Sequence, residues 1–167
     1  MRIIPYDRDA AVAYAKRWAF SRNPKYYDFS AIGGDCTNYA SQCLFAGCGV
    51  MNGTPTFGWY YRSVNDRAPA WTGVEFFCRF LLDNAEQGVG SGAGPFAEET
   101  GIEKLQLGDF VQLGRQTGDF YHTPVVVGFS RGEPLVAAHS YDAFAKPLSA
   151  YSFARLRCLH ILGARTE

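Results

Sequence analysis

The sequence predicts an α+β fold in which N-terminal helices pack on a C-terminal antiparallel β-sheet. Helical periodicity is confined to the first half of the chain, where apolar side chains recur every three or four residues. After residue 104 the pattern changes to short β-like runs bounded by glycine and proline. Helices followed by consecutive strands are typical of α+β proteins and not of a repeated βαβ unit.

Three helices are predicted, over residues 7–20, 36–46 and 71–87. Asp7 or Asp9 can cap the first helix, because a short carboxylate side chain accepts hydrogen bonds from the free N–H groups of a first turn. Gly47 is expected to end the second helix. The glycine-rich segment Gly88–Gly94 and residues 21–34 are predicted to be loops.

Four β-like runs follow, over residues 109–113, 123–129, 135–139 and 152–162. They are short and separated by turn-forming residues, which favours an antiparallel meander. The sequence contains no internal repeat and no linker long enough to separate two domains. A chain of 167 residues has the usual size of one domain. We therefore expect one domain over residues 1–167.

Composition excludes several classes of function. Hydrophobic residues make up 47% and charged residues 19%, and 16 basic residues balance 16 acidic ones. A neutral chain lacks the basic excess that nucleic-acid binding requires, so no nucleic-acid partner is expected. No apolar stretch approaches the 18 residues of a membrane span, and the first residues lack the apolar core of a secretory signal. As given, the chain is expected in the cytoplasm, or outside the cell or in the cell wall if it has been trimmed.

The five cysteines, 36, 43, 48, 78 and 158, are an odd number, and the chain is longer than typical disulfide scaffolds. At least one thiol is therefore expected to be free. No Cys-x-x-Cys or His-Glu-x-x-His pattern is present, so neither a metal site nor a cofactor is predicted.

Cys36 is the candidate nucleophile. It follows Gly33-Gly34-Asp35 and opens the second predicted helix. With Asp35 as N-cap, the unpaired N–H groups and the positive end of the helix dipole would favour a thiolate at Cys36 and could hold an oxyanion. The alternative is that a small residue merely begins a helix here. The other four cysteines lie in apolar or turn sequences and are expected to be inert.

His122 and His139 are the candidate base and its orienting partner. They flank a hairpin-like segment, and a turn centred on residues 130 and 131 would pair residues whose numbers sum to 261. His122 would then face His139, with Cβ atoms about 5 Å apart. Asp142 is the competing partner for His122. The structural alternative is a pair of polar residues at a sheet end, and His160 is expected to be structural.

A cluster of aromatic residues, Trp59, Tyr60, Tyr61 and Trp71, follows the predicted catalytic helix. Such residues could form one wall of a substrate groove, in which case at least one tryptophan would be partly exposed near Cys36. For any single one of them, a place in the core is an equal alternative.

The chain resembles the bacterial putative amidase domain family and, more broadly, papain-like cell-wall enzymes of the NlpC and CHAP kinds. The segment from Gly33 to Gln42 (GGDCTNYASQ) carries most of the resemblance. Further matching segments are Tyr6–Arg8, Asn23–Tyr27, Trp59–Tyr61, Gly108–Gln112, His122 and His139–Asp142. The resemblance implies a papain-like fold and a Cys-His-His triad, which by residue match is Cys36, His122 and His139.

The predicted function is that of a cysteine hydrolase that cuts an amide or peptide bond through a thioester. The substrate would be a small peptide, an amide or a peptidoglycan-like molecule, of cell-wall or γ-glutamyl type. Candidate substrate-binding or oxyanion residues are Asp35, Trp59, Trp71 and Asp142. The alternatives are a binding module without catalysis, and an acyltransferase that uses the same cysteine.

The proposed activation of the thiol makes a geometric and an electrostatic prediction. The Cys36 sulfur should lie within about 4 Å of a His122 ring nitrogen. A thiolate–imidazolium pair would require a lowered cysteine pKa and a raised histidine pKa, and Cys36 would then be alkylated below pH 7.

Overall fold

The computed structural model describes residues 1–86 and 92–167. Within these ranges the chain is an α+β protein with four helices and a curled antiparallel sheet. Residues 88–91 of the loop predicted over Gly88–Gly94, and Gln87 at the end of the third predicted helix, lie outside the described residues. None of the described helices is long and apolar enough to cross a membrane.

The helices are α1 (Arg8–Trp18), α2 (Cys36–Cys48), α3 (Pro69–Thr72) and α4 (Val74–Asp83). Asp7 caps α1, since its carboxylate accepts a hydrogen bond from the Ala10 N–H at 3.0 Å. Helix α2 continues past Gly47 and ends at Gly49, which has a φ of 70°. Gly47 is instead a packing position, because a Cβ there would lie 2.3 Å from the Tyr6 ring.

The third predicted helix is divided into α3 and α4 by Gly73. This glycine is extended, with φ −109° and ψ 129°. The Gly73 N–H donates the last hydrogen bond of α3, to the Pro69 carbonyl. The Gly73 carbonyl accepts the first hydrogen bond of α4, from the Phe77 N–H. Two short helices therefore replace one long helix.

Ten strands are present in the described residues. They are β1 (Arg2–Ile4), β2 (Tyr61–Ser63), β3 (Asp66–Arg67), β4 (Gly94–Thr100), β5 (Phe110–Gly114), β6 (Phe120–His122), β7 (Val125–Ser130), β8 (Glu133–Ala138), β9 (Ala143–Pro147) and β10 (Arg155–Thr166). The large sheet has the order β1-β10-β5-β7-β8-β9, and all its pairs are antiparallel. Strand β4 also pairs with β10, β6 also pairs with β5, and β2 and β3 form a separate hairpin.

The four β-like runs of the sequence correspond to β5, β7, β8 and β10, whereas β1, β2, β3, β4, β6 and β9 were not predicted. Strand β4 shows why local sequence is not sufficient here. It begins with Gly94 and Pro95, two residues that disfavour strands, yet it pairs with β10 over most of its length. Its conformation therefore depends on a partner that is distant in the sequence.

The centre of the sheet is buried on both faces. Phe110 of β5 and Val125 of β7 pack in the main core with the helices. Val111, Leu113 and Val126, which point to the opposite face, pack in a second cluster with Leu148 and Cys158. The alternation of side chains along a strand therefore decides which of two environments each residue enters.

The N-terminal segment is fastened to the sheet through Asp109. The buried carboxylate of Asp109 lies 2.7 Å from Arg8 Nη1 and 2.7 Å from His160 Nδ1, and it accepts the Ile161 N–H at 2.9 Å. Beside it, the Tyr6 hydroxyl donates to the Gly108 carbonyl at 2.8 Å. The segments Tyr6–Arg8 and Gly108-Asp109 therefore have a structural role, and His160 is confirmed as a structural histidine.

We expect Asp109→Asn to lower the free energy of unfolding by about 3 kcal/mol or more, because it leaves Arg8 without its counter-ion in a partly buried site. Asp119→Asn is the matched control. Its ion pair with Arg115 is more than half exposed on both sides and is screened by water, so little or no loss is expected. Urea unfolding of both variants measures the difference, and equal losses would contradict the role assigned to Asp109.

Candidate functional site

Cys36 is the first residue of α2 and is partly exposed, whereas the other four cysteines are buried. Gly33 and Gly34 lead into it with φ values of 81° and 102°, a conformation that favours glycine. The first backbone hydrogen bond of the helix runs from Tyr39 N–H to the Asp35 carbonyl. Of the three preceding positions, the N–H groups of Cys36 and Asn38 have no hydrogen-bond acceptor within the described residues, whereas the Thr37 N–H contacts the Cys36 sulfur.

The Cys36 sulfur lies between α2 and the start of the central strands. It is 3.6 Å from Thr37 Oγ1 and 3.9 Å from the carbonyl oxygen of Tyr121. Burial raises the pKa of the Cys36 thiol, and the charge of Asp35 acts in the same direction. The Thr37 hydroxyl and the N–H groups of Thr123 and Thr37 oppose this without reversing it. The group is therefore a protonated thiol at neutral pH, and the predicted lowering of its pKa is wrong for this structure.

Burial also raises the pKa of the remaining cysteines, to about 12 for Cys48 and about 11 for Cys78 and Cys158. The pKa of Cys43, which is fully buried on α2, is raised further still. Cys36 thus differs from them in being accessible at a helix start, as the sequence predicted, and not in being ionised.

Asp35 occupies the N-cap position but does not cap the helix. Its carboxylate is buried and directed away from the helix end. Oδ1 accepts hydrogen bonds from Phe29 N–H and Asn38 Nδ2, each at 2.9 Å, and Oδ2 lies 2.7 Å from His139 Nδ1. A carboxylate so enclosed has no direct access to a substrate, so a direct substrate-binding or oxyanion role for Asp35 does not fit its position.

His139 contacts Asp35 and not His122, so the predicted pairing of the two histidines is wrong. Its Nε2 lies 2.7 Å from the Trp18 carbonyl oxygen and 3.1 Å from Arg22 Nη1. The imidazole also stacks on Tyr39 of α2, with ring centroids 4.0 Å apart. Both ring nitrogens are therefore occupied on the helical side of the sheet.

The predicted pairing of His122 with His139 is wrong because the register of the β7–β8 hairpin differs from the predicted one. Strands β7 and β8 turn at Arg131 and Gly132, so the numbers of paired residues sum to 263 beside the turn. A bulge between Val126 and Gly128 reduces the sum to 262 for the residues beyond it. Continued along the strands, this register brings His139 opposite Thr123. A shift of one residue moves a side chain to the other face of a sheet.

His122 consequently lies on the face of the sheet opposite to α2. It pairs with Leu113, a member of the second cluster, and its ring centroid lies 5.8 Å from that of Tyr151. Thr123, the next residue, points to the helices and contacts Thr37 Oγ1 at 3.1 Å. Within the described residues the Cys36 sulfur has no hydrogen bond to His122.

The pKa of His122 is lowered from its ordinary value to about 4 by burial and, to a lesser extent, by the charge of Lys146. The imidazole is therefore neutral at physiological pH. This is the opposite of the raised pKa predicted for an imidazolium partner of a thiolate.

Asp142 does not contact His122 either; it forms an ion pair with Arg22. Both carboxylate oxygens of Asp142 lie 3.0 Å from Arg22 nitrogens. Arg22 Nε is 3.3 Å from Asp28 and 3.8 Å from Asp35. Burial disfavours the charge of Arg22, but the carboxylates of Asp142 and Asp28 outweigh it and raise the arginine pKa. Asp142, the alternative orienter of His122, is thus engaged with Arg22 instead.

Arg22 and Ser140 belong to this cluster and were not identified from the sequence. The Ser140 hydroxyl accepts the Asp35 N–H at 3.1 Å. Neither residue has a spacing or a neighbouring motif that would single it out, because their partners are more than 100 positions away in the sequence. We call Arg22, Asp35, His139 and Asp142 the ionic cluster, in which Asp35 and His139 are buried and Arg22 and Asp142 are partly exposed.

Trp59 and Trp71 are both fully buried, so the predicted aromatic wall is wrong. Trp59 Nε1 donates to Ser41 Oγ and Trp71 Nε1 donates to Asn38 Oδ1, each at 3.0 Å. Ser41 and Asn38 are on α2. The tryptophans therefore satisfy buried polar side chains of this helix and hold it in place, which accounts for polar residues on a buried helix.

A cavity of about 440 Å³ lies elsewhere, between the loop 52–58 and the outer face of α4. Its lining includes Phe57, Phe76 and Arg79 and does not include Cys36. Within residues 1–86 and 92–167, no three side chains of His, Cys, Asp or Glu are grouped so that they could hold a metal ion.

A family model described as a putative amidase domain matches residues 5–161 of the chain. The chain is also 37% identical, over 145 residues, to a protein of Bacillus subtilis (strain 168) that is named uncharacterized protein YhbB. The match covers 85% of this chain and 44% of that relative, so the chain spans less than half of the relative's length. No solved structure matches the chain.

The raised pKa of Cys36 predicts how its reactivity depends on pH. We expect alkylation by iodoacetamide to be slow at pH 7 and to increase through pH 9, because only the thiolate reacts and burial keeps the thiol protonated. His122→Gln should leave this profile nearly unchanged, since His122 makes no hydrogen bond with the sulfur. Mass spectrometry of the Cys36 peptide measures the rate. Rapid alkylation below pH 7 that His122→Gln abolishes would show an ion pair instead.

The lowered pKa of His122 predicts a loss of stability in acid. In the unfolded chain the His122 imidazole binds a proton near pH 6.5, whereas in the folded chain it does so only near pH 4. The free energy of unfolding should therefore decrease as the pH falls between these values. At pH 4.5 the titration of His122 lowers the free energy of unfolding by about 2 to 3 kcal/mol relative to pH 7. Urea unfolding at pH 7 and 4.5 should show a smaller decrease for His122→Gln than for the wild type. An equal decrease in both proteins would contradict the burial of a neutral His122.

Proposed function

Because the chain belongs to the putative amidase domain family, we propose that it hydrolyses an amide bond and that Cys36 is its nucleophile. The family description indicates amide hydrolysis only in general terms. The observation that carries the specific assignment is the position of Cys36, the accessible cysteine of the described chain, at the start of a helix where the N–H groups of Cys36 and Asn38 are free.

The free N–H groups support the chemistry that an amidase requires. Attack of the Cys36 sulfur on an amide carbonyl forms a carbon–sulfur bond and places negative charge on the carbonyl oxygen. Unpaired N–H groups at the beginning of α2, together with the positive end of the helix dipole, can stabilise that oxyanion. Because the Asp35 side chain is engaged elsewhere, it does not compete for these donors.

The reaction also requires a base, because Cys36 is protonated in the resting structure. The base takes the thiol proton during attack and returns a proton to the departing amine when the carbon–nitrogen bond breaks. The resulting thioester is then hydrolysed by water, which restores the thiol and releases the acid.

We assign the role of base to His122. Two features support it: its ring is neutral at physiological pH, as a base must be, and the backbone on either side of it contacts the sulfur through the Tyr121 carbonyl and the Thr123 N–H. In the resting structure its ring makes no hydrogen bond to the sulfur. Catalytic hydrogen bonds often tighten only when substrate is bound.

His139 is assigned a positioning role in place of the predicted orienting one. Its contacts with Asp35, Trp18 and Tyr39 connect the start of α2 to α1 and to the end of β8. It acts on Cys36 through Asp35, the preceding residue in the chain. Removal of His139 should therefore displace the nucleophile without removing a reacting group.

The substrate we propose is a small peptide, an amide or a peptidoglycan-like molecule, with a mechanism of the papain-like type. A cysteine at the start of a helix that packs on an antiparallel sheet supports this type of mechanism. The similarity to the NlpC and CHAP cell-wall enzymes rests on the sequence motifs, in particular the segment Gly33–Gln42.

One observation favours a second candidate, a binding module without catalysis. The thiol has a raised pKa and no hydrogen bond to an imidazole in the described residues. If His122 cannot reach the sulfur, the same surface could bind a peptide or cell-wall ligand without cutting it.

We expect Cys36→Ala to abolish hydrolysis while the melting temperature changes little, because the side chain is partly exposed and makes only weak polar contacts. A panel of peptidoglycan fragments, γ-glutamyl peptides and simple amides provides the assay. Cys48→Ala is the matched control at the other end of α2. It should keep the activity and lose about 1 kcal/mol of stability through the loss of buried volume.

His122→Gln should lower kcat by about 100-fold or more if His122 is the general base. Full activity of His122→Gln would remove only the base assignment. Activity of Cys36→Ala equal to that of the wild type would remove the nucleophile and, with it, the proposed mechanism. Binding of a panel member by the wild type without turnover would support the binding module.

A further inference from the structure

A chain of buried hydrogen bonds leads from strand β5 to the Cys36 sulfur. Gln112 of β5, Thr123 and Thr37 are all buried. Gln112 Nε2 donates to Thr123 Oγ1 at 3.2 Å, and Thr123 Oγ1 lies 3.1 Å from Thr37 Oγ1. Thr37 Oγ1 is in turn 3.6 Å from the Cys36 sulfur. Three polar side chains therefore connect the candidate nucleophile to the centre of the sheet.

The orientation of the Gln112 amide is fixed by two groups that each have one hydrogen-bonding role. Arg157 can only donate, and its Nε lies 2.9 Å from Gln112 Oε1. The Val74 carbonyl can only accept, and it lies 3.0 Å from Gln112 Nε2. The amide oxygen therefore faces Arg157, which Glu75 also binds at 3.0 Å. The second N–H of Gln112 Nε2 is left to donate to Thr123.

This orientation gives the chain one direction. Thr123 Oγ1 accepts from Gln112, and within residues 1–86 and 92–167 the remaining partner of its hydroxyl is Thr37. Thr37 Oγ1 then accepts from Thr123 and directs its own proton to its other contact, the Cys36 sulfur. Each side chain thus donates towards Cys36. Because an amide does not pass protons on, the chain presents a proton to the sulfur and does not carry one away.

The same two threonines also direct backbone donors at the sulfur. Burial raises the pKa of the Cys36 thiol, and the Thr37 hydroxyl together with the N–H groups of Thr123 and Thr37 acts in the opposite direction. The thiol itself can donate to the Tyr121 carbonyl, 3.9 Å away. Hydrogen bonds become stronger when the acceptor is charged. These donors are therefore worth most at the moment when the thiol loses its proton.

We propose that Gln112 and Thr123 are positioning residues that orient the Thr37 hydroxyl towards the Cys36 sulfur and thereby stabilise the negative charge that develops there when the base takes the proton. This inference rests on the proposed function, because it concerns the nucleophile of that mechanism. It also accounts for three polar side chains in the core, where each would be costly without a partner.

Alkylation of Cys36 by iodoacetamide tests the proposal without knowledge of the natural substrate. The sulfur forms a bond to the methylene carbon, iodide departs, and the thiol proton passes to the buffer. Each variant is mixed with isotopically labelled wild type at pH 8, and mass spectrometry of the Cys36 peptides gives both rates from one sample. Small differences are resolved because the two proteins share the same pH and reagent.

We expect Thr37→Val, which removes the direct donor and keeps the shape, to slow alkylation about threefold. Loss of one hydrogen bond to a charged acceptor lowers the thiolate fraction about tenfold, whereas the more basic thiolate reacts about threefold faster. Thr123→Val should slow alkylation about twofold, because Thr37 keeps its hydroxyl and loses the group that orients it. Thr37→Ser and Thr123→Ser keep the hydroxyl and should react like the wild type.

The double variant separates orientation from a structural role. If Thr123 acts through the Thr37 hydroxyl, the protein with both Thr37→Val and Thr123→Val should react no more slowly than Thr37→Val alone. Ser41→Ala is the matched control. It removes another buried hydroxyl of α2, one that binds Trp59 and Trp71 instead of the sulfur, and it should leave the rate unchanged.

A wild-type rate in Thr37→Val or in Thr123→Val would overturn the proposal. So would two effects that multiply in the double variant, since Thr123 would then act by packing alone. If Thr123→Val does not fold, Gln112→Glu replaces it, because a carboxylate oxygen facing Thr123 accepts the hydroxyl proton and reverses the chain. Gln112→Glu should slow alkylation more in the wild-type background than in Thr37→Val, and equal slowing in both backgrounds would overturn the proposal.

These rates do not depend on turnover, so they test the hydrogen-bond chain separately from the proposed function. That function fails by a different result, namely hydrolysis that persists in Cys36→Ala. The two failures are therefore distinguishable.

Discussion

The buried carboxylate of Asp35 is the constraint on which the geometry of the candidate site depends. A charge removed from water is tolerated only where it is paired and hydrogen-bonded. Asp35 meets this requirement with Phe29 N–H, Asn38 Nδ2 and His139 Nδ1, three groups from three different parts of the chain. The hydrogen bonds of the Asp35 carboxylate therefore hold together three parts of the chain: the loop before α2, the first turn of α2 and the end of β8.

This arrangement determines what the nucleophile can and cannot do. Because Asp35 is turned into the protein, the N–H groups of Cys36 and Asn38 remain available to an oxyanion. Cys36 is only partly exposed, and burial raises the pKa of its thiol, so in the proposed mechanism the N–H groups stabilise the intermediate while the resting sulfur stays protonated. Proton removal must therefore accompany attack.

Local sequence predicted the elements whose own periodicity is strong. Helix α1 lies within two residues of its predicted bounds, and α2 begins at Cys36 as expected. Strands β5, β7, β8 and β10 were recognisable from their β-branched and aromatic runs. Strands such as β4 and β9 were not, because their residues have weak strand preferences and become extended only by pairing with distant partners.

The sequence by itself determined the α+β fold class, the family and the position of Cys36 at a helix start, since these depend on periodicity and on a short contiguous motif. The tertiary structure decided the neighbours of that cysteine. A bulge and a turn displaced by one position put His122 and His139 on opposite faces of the sheet, because side chains alternate with a period of two. Burial of Trp59 and Trp71 was likewise decided by Ser41 and Asn38, polar groups inside the core that required donors.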